Sequence, residues 1–126
     1  MAKKVLIVDD DFDFLTSVKT VLQSAGYDSV TAGNGEEGLK KARQSKPDLI
    51  VLDVMMPGMN GWDVCEALKD DDATKAIPVI MLTSVASHMK DSSYSHASGK
   101  QTEAEDYIPK PVEPPVLLER VKRLIK

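Results

Sequence analysis

A single cysteine, Cys65, stands in the 126-residue chain, so no internal disulfide can brace the fold. That usage fits a reducing compartment, with Cys65 itself read as a small buried hydrophobe. Aromatic residues are few, and the apolar character rests on Val, Ile, Leu and Met. Positive charge is not in excess: 16 Lys and Arg against 20 Asp and Glu give a net charge of −4, which argues against a nucleic-acid surface. The one dense basic group, Arg120, Lys122, Arg123 and Lys126, is read as the solvated face of a last helix. No apolar stretch approaches the roughly 20 residues that a membrane-spanning helix needs. A strand begins directly after Lys3 and Lys4, leaving no room for a secretory leader. There is no repeat or linker. The expectation is one cytoplasmic domain, residues 1–126, without an output domain and touching neither nucleic acid nor membrane.

What the chain does contain is a set of short apolar runs, each ending in a polar residue suited to phosphate or a hard metal. Val5-Leu6-Ile7-Val8 meets Asp9-Asp10-Asp11, and Leu49-Ile50-Val51-Leu52 meets Asp53. Val79-Ile80-Met81-Leu82 meets Thr83-Ser84, and Tyr107-Ile108-Pro109 meets Lys110-Pro111. Continuous runs of this length are the mark of strands buried on both faces of a parallel sheet. Helical repeats lie between them. Phe14, Leu15, Val18, Val21, Leu22 and Ala25 form one, stopped by Gly26. Asn34 with Glu37 resembles a capping box for a second helix to about Ser45. The Met55–Gly61 stretch reads as a loop, followed by a third helix over about 62–69 and an exposed acidic exit at Asp70-Asp71-Asp72. Residues 28–32 read as a half-exposed strand. Glu113-Pro114-Pro115 opens a final helix with Val116, Leu117, Val121, Leu124 and Ile125 turned inward. The stretch 85–105 has little apolar periodicity, so any helix there is expected to be short or mobile. Five strands alternating with helices predict a doubly wound α/β sandwich.

In an open parallel sheet, ligands bind beyond the carboxyl ends of the strands. Crowded carboxylates there repel one another unless a cation sits among them, and Mg2+ suits one or two carboxylates plus phosphate oxygens. Asp10 or Asp11 can cap the first helix, but a cap does not need three acids. Asp53, alone after an apolar strand with accessible oxygens, is either a metal ligand or a nucleophile toward phosphorus, and both roles are compatible. Thr83 and Lys110 would supply a hydroxyl and a positive charge to phosphoryl oxygens. Taken singly, either could be an ordinary strand-end or surface residue. Lys110-Pro111 is a candidate cis bond.

These motifs, in this order and spacing over nearly the whole chain, resemble the response-regulator receiver domain of two-component signalling. The resemblance rests on Val8–Asp11, on the run from Leu52 to Gly61, on Met81–Ser84 and on Asp106–Pro111. It implies a flavodoxin-like, five-stranded parallel sheet of order 2-1-3-4-5 with helices on both faces. It implies a phosphorylation-activated switch, not a turnover enzyme, with Asp53 as phosphoacceptor. Asp9, Asp10, Asp53 and the Met55 backbone carbonyl would hold Mg2+, Thr83 and Lys110 would bind the phosphoryl group, and Thr83 and Tyr107 would form the switch. The implied partners are a sensor histidine kinase or phosphotransfer protein and an unidentified downstream protein. The expected state is a monomer or a weak, phosphorylation-dependent dimer. Output would pass through the face of the fourth helix, fifth strand and fifth helix.

The chain departs from the pattern between Thr83 and Lys110, where it is a few residues longer and carries Glu103-Ala104 in place of Gly-Ala. That puts the fourth helix in doubt. His88 and His96 there are read as solvated. Met55 and Val85, two positions beyond Asp53 and Thr83, are apolar and cannot orient an attacking water, so a long-lived phosphorylated form is expected. Two other readings compete: a metal-dependent phosphatase or phosphotransferase acting on a small molecule, and a receiver-like module that no longer depends on phosphorylation.

Overall fold

The apolar runs become strands and the repeats between them become helices. In the computed structural model, which describes residues 2–56, 58–83 and 104–125, the order is β1 (Lys4–Val8), α1 (Phe12–Ser24), β2 (Asp28–Ala32), α2 (Gly35–Ser45) and β3 (Leu49–Asp53). There follow α3 (Gly61–Asp70), β4 (Val79–Thr83), β5 (Asp106–Pro109) and a C-terminal helix (Pro114–Leu124). All strand pairs are parallel, in the order β2-β1-β3-β4-β5. This is the expected flavodoxin-like arrangement. The strand order reverses between β1 and β3, which opens a crevice at their carboxyl ends.

Alternation along the strands divides the core in two. Leu6, Val8, Ile50, Leu52, Val79 and Met81 pack with Ala42, Val64, Cys65 and Leu68 of α2 and α3. Val5, Ile7, Leu49, Val51, Ile80 and Leu82 face the other way, toward Leu15, Val18 and Leu22 of α1 and Leu117 and Val121 of the C-terminal helix. β3 and β4 are buried at every position because helices cover both of their faces. β2, at the sheet edge, is half-buried, as expected. Among the described residues, no helix is long and apolar enough to cross a membrane.

The helix ends follow side-chain chemistry. Asp11 is the cap of α1, accepting from the Asp13 and Phe14 amides at 3.0 and 3.2 Å. Gly26, at φ 91°, turns the chain out of α1 while the Tyr27 amide bonds back to Leu22 at 2.9 Å. Asn34 caps α2 through the Glu37 amide at 2.9 Å, whereas the Glu37 carboxylate pairs with Lys41 at 3.0 Å. Four readings need correction. Ala25 is exposed, because the chain is already leaving the helix there. Val116 is 42% exposed, since the inward stripe runs through Leu117 and Val121 and turns its neighbour away. Arg120 is not simply solvated: its guanidinium grips both oxygens of Asp106 at 2.7 and 2.9 Å. Asp71 likewise does more than mark an exit, accepting from Arg43 at 2.8 Å. The readings of Val85, His88, His96, Gly99 and a helix beyond Ser84 fall on 84–103, outside the described residues.

Asn60-Gly61 is a helix start, not a free turn. Asn60 caps α3 by accepting from Asp63 at 3.0 Å, and Gly61 is the first helical residue. A Cβ on Gly61 would sit 2.3 Å from the Asp53 carbonyl oxygen and 2.7 Å from Val54 Cα. Both are backbone atoms and cannot swing aside. Gly61→Ala is therefore expected to push α3 off the end of β3 and to lower stability by about 1–3 kcal/mol. Chemical denaturation of the two proteins checks this, and an unchanged midpoint would show that α3 can retreat freely.

Candidate functional site

The crevice at the carboxyl edge is lined by the residues that end the central strands. Asp9 and Asp10 follow β1, Asp53 closes β3, Thr83 closes β4 and Lys110 follows β5. Sheet register sets them side by side: Asp53 lies opposite Leu82, and Thr83 opposite Pro109. The Lys110 amide bonds to the Thr83 carbonyl, and the Lys110–Pro111 bond is cis, as the sequence suggested.

Lys110 draws the site together. Its ammonium lies 3.1 Å from Asp9 Oδ2 and 3.2 Å from Asp53 Oδ1. Asp53 Oδ1 also accepts from the Met55 amide at 3.3 Å. The other Asp9 oxygen accepts from the Asp11 amide at 2.9 Å, so Asp9 is held from two sides. Asp9, Asp53 and Thr83 are buried, while Asp10 faces solvent. Asp53 is only 3% exposed, contrary to the expected accessible carboxylate, because Lys110 and the Met55 turn close over it.

The electrostatics follow from that burial. Desolvation first, and then the neighbouring Asp9 charge, push the Asp53 carboxyl up from its usual 3.8 to about 6, while Lys110 and the Met55 amide pull the other way. Burial works against the Lys110 ammonium, but the Asp53 and Asp9 carboxylates outweigh it and hold that lysine above its ordinary value. One oxygen from each of Asp9, Asp10 and Asp53 lies within 4.8 Å of the others. Two buried carboxylates beside an exposed third fit a hard divalent cation, which would relieve their repulsion.

Tyr107 stands apart from this cluster on β5, more than a third exposed, with its ring 6.1 Å from that of Trp62 at the start of α3. Met55 is 54% exposed. Phe14 is a site neighbour that the sequence does not single out, placing it only in the apolar repeat of the first helix. Its ring lies beneath the Lys110 ammonium at 5.4 Å from the centroid. The available signal was its place: it is the first apolar residue of the helical repeat that opens just after the acid cluster.

The raised Asp53 value has a consequence for stability in the absence of divalent metal. Unfolded, the carboxyl titrates near 3.8, and folded near 6, so the folded state binds the extra proton between these values. Stability therefore falls as pH rises through that window, by roughly 3 kcal/mol at most. Asp53→Asn is expected to stabilise the chelator-treated protein by about 2 kcal/mol at pH 7 and by little at pH 4. Urea unfolding at the two pH values decides it; equal effects at both would refute the electrostatic origin.

The response regulator receiver domain model matches residues 5–122. The alkaline phosphatase synthesis transcriptional regulatory protein PhoP of Bacillus subtilis is 41% identical over the whole chain, which spans 50% of that protein. The DNA-binding response regulator MtrA of Mycobacterium leprae is 36% identical, and the chain spans 52% of it. The chain thus covers about half the length of these relatives. Protein PilH of Pseudomonas aeruginosa is 36% identical over 97% of both chains. Among solved structures, the Vibrio cholerae chemotaxis protein CheY4 superimposes with a TM-score of 0.84 at 32% identity, covering 98% of this chain and 99% of that one. The chain belongs to the response regulator receiver domain family, the phosphorylation-activated switches of two-component signalling.

Proposed function

We propose that Asp53 is the phosphoacceptor of this switch, taking a phosphoryl group from a histidine kinase or phosphotransfer protein, or from a small acyl phosphate. The observation that carries the reading is the joint hold of Lys110 on Asp53 and Asp9, beside a third carboxylate, at the switch point of the sheet. An Asp53 oxygen attacks phosphorus in line. The bond from phosphorus to the donor's imidazole nitrogen breaks, and that nitrogen takes up a proton; with an acyl phosphate a carboxylate leaves instead. Lys110 moves from Asp53 to a phosphoryl oxygen, and the Thr83 hydroxyl donates to another. Asp9, Asp10, Asp53 and the Met55 carbonyl would hold Mg2+, which when bound offsets charge on the phosphoryl oxygens.

The phosphorylated form differs from the free one in the position of Thr83 and in the space open to Tyr107. It therefore biases two conformations by as much as their contacts differ. Readout passes to a protein partner in the cytoplasm through the surface around β5 and the C-terminal helix, with phosphorylation also able to favour a weak dimer. The chain promotes its own phosphorylation and dephosphorylation and turns over no external substrate.

Incubation with acetyl phosphate and Mg2+ is expected to add one phosphoryl group by mass spectrometry, none in Asp53→Ala, with uptake stopping at one per chain. Continued release of inorganic phosphate at enzymic rates would favour a phosphatase. Hydrolysis needs an oriented water, and neither Met55 nor Val85 can hold one. The double variant Met55→Asn, Val85→Glu is expected to lose the phosphoryl group about ten-fold faster than the wild type. Decay that is equal or slower in the variant contradicts the role given to these two side chains.

A further inference from the structure

The Lys110 ammonium has a third neighbour besides its two carboxylates, the face of Phe14 at 5.4 Å from the ring centroid. That distance is within the range of about 6 Å over which an ammonium is attracted to a ring face. The ring is fixed by a closed circuit of contacts. Asp9 accepts from the Asp11 amide, Asp11 accepts from the Phe14 amide as the cap of α1, and the Phe14 ring meets Lys110. Lys110 returns to Asp9. The ring is partly buried and packs against the core cluster on the α1 side of the sheet.

We infer that Phe14 is a positioning residue for phosphoryl transfer: its ring face holds the Lys110 ammonium at the rim while that ammonium exchanges Asp53 for a phosphoryl oxygen. This role rests on the reading of Asp53 as phosphoacceptor. The physical need is specific. When Asp53 bonds to phosphorus, the oxygen that carried charge becomes the bridging oxygen of an acyl phosphate, and Lys110 loses one of its two anchors. A ring face attracts a cation without fixing its hydrogen-bond direction, so the ammonium can turn toward phosphorus without drifting into water. An aliphatic side chain of similar bulk would fill the space and offer no such attraction.

The test compares the wild type with Phe14→Leu, with Phe14→Tyr and with the chain carrying 3,5-difluorophenylalanine at position 14, which keeps shape and weakens the ring face. Two readouts are taken: the NMR shift of the Lys110 Hε protons, and the initial rate of Asp53 phosphorylation by acetyl phosphate at saturating Mg2+. The Hε protons are expected upfield in the wild type and at ordinary positions in Phe14→Leu. The rate is expected to fall about three- to ten-fold in Phe14→Leu, less in the fluorinated chain, and to recover in Phe14→Tyr. Wild-type rates in the fluorinated chain, or in a folded Phe14→Leu, overturn the inference. If Phe14→Leu does not fold, the fluorinated chain decides alone. A wild type that takes up no phosphate sinks the reading of Asp53 and this role with it, whereas normal uptake insensitive to the ring sinks the role alone.

Discussion

One ammonium group keeps the carboxyl edge of this sheet together. Asp9 and Asp53 are both buried and both acidic, and in a low-dielectric crevice their charges oppose each other. Lys110 bridges them at hydrogen-bond distance, and its reach depends on β5 ending where it does, against Thr83 of β4. Removing the lysine would leave both buried carboxylates uncompensated, which costs far more than a surface pair contributes. The site is thus assembled at the expense of local stability, and a cation or a phosphoryl group would change the balance of charge that holds it.

The far end of β5 is tied just as deliberately. Glu105 accepts from the Val79 amide at 2.7 Å and pairs with Lys69 of α3 at 2.9 Å. Asp106 is gripped by Arg120, and Tyr107 leans toward Trp62. Three consecutive residues therefore bind β5 to helices on both faces of the sheet. A change at the Lys110 end has a short, connected route to these ties, because the whole strand is four residues long.

Much of this was legible in the sequence, for definable reasons. Buried parallel strands are continuous apolar runs, so the strands and the polar residues at their ends are legible directly, whereas the order of strands in the sheet rests on the family resemblance. Proline, glycine and Asn caps marked most helix limits. What escaped was whatever depends on side-chain direction. Ala25 and Val116 fit an apolar repeat yet turn outward, because periodicity alone does not say where a helix frays or how a stripe is rotated. Asp53 was expected to be open, and the structure covers it, since the lysine that covers it comes from 57 positions further along the chain. Phe14 reads only as part of the apolar repeat of α1, and its surface toward Lys110 exists only once α1 and β5 are brought together.

The claim on which the rest depends is that Asp9, Asp10, Asp53, Thr83 and Lys110 form one receptor for a phosphoryl group on Asp53. Beryllofluoride with Mg2+ reproduces the shape and charge of an acyl phosphate without transfer chemistry, and 19F NMR observes it directly. The account predicts a bound fluoride signal that saturates at one equivalent and disappears in Asp53→Asn. A folded wild-type protein that shows no bound signal, or one that persists unchanged in the variant, would contradict it.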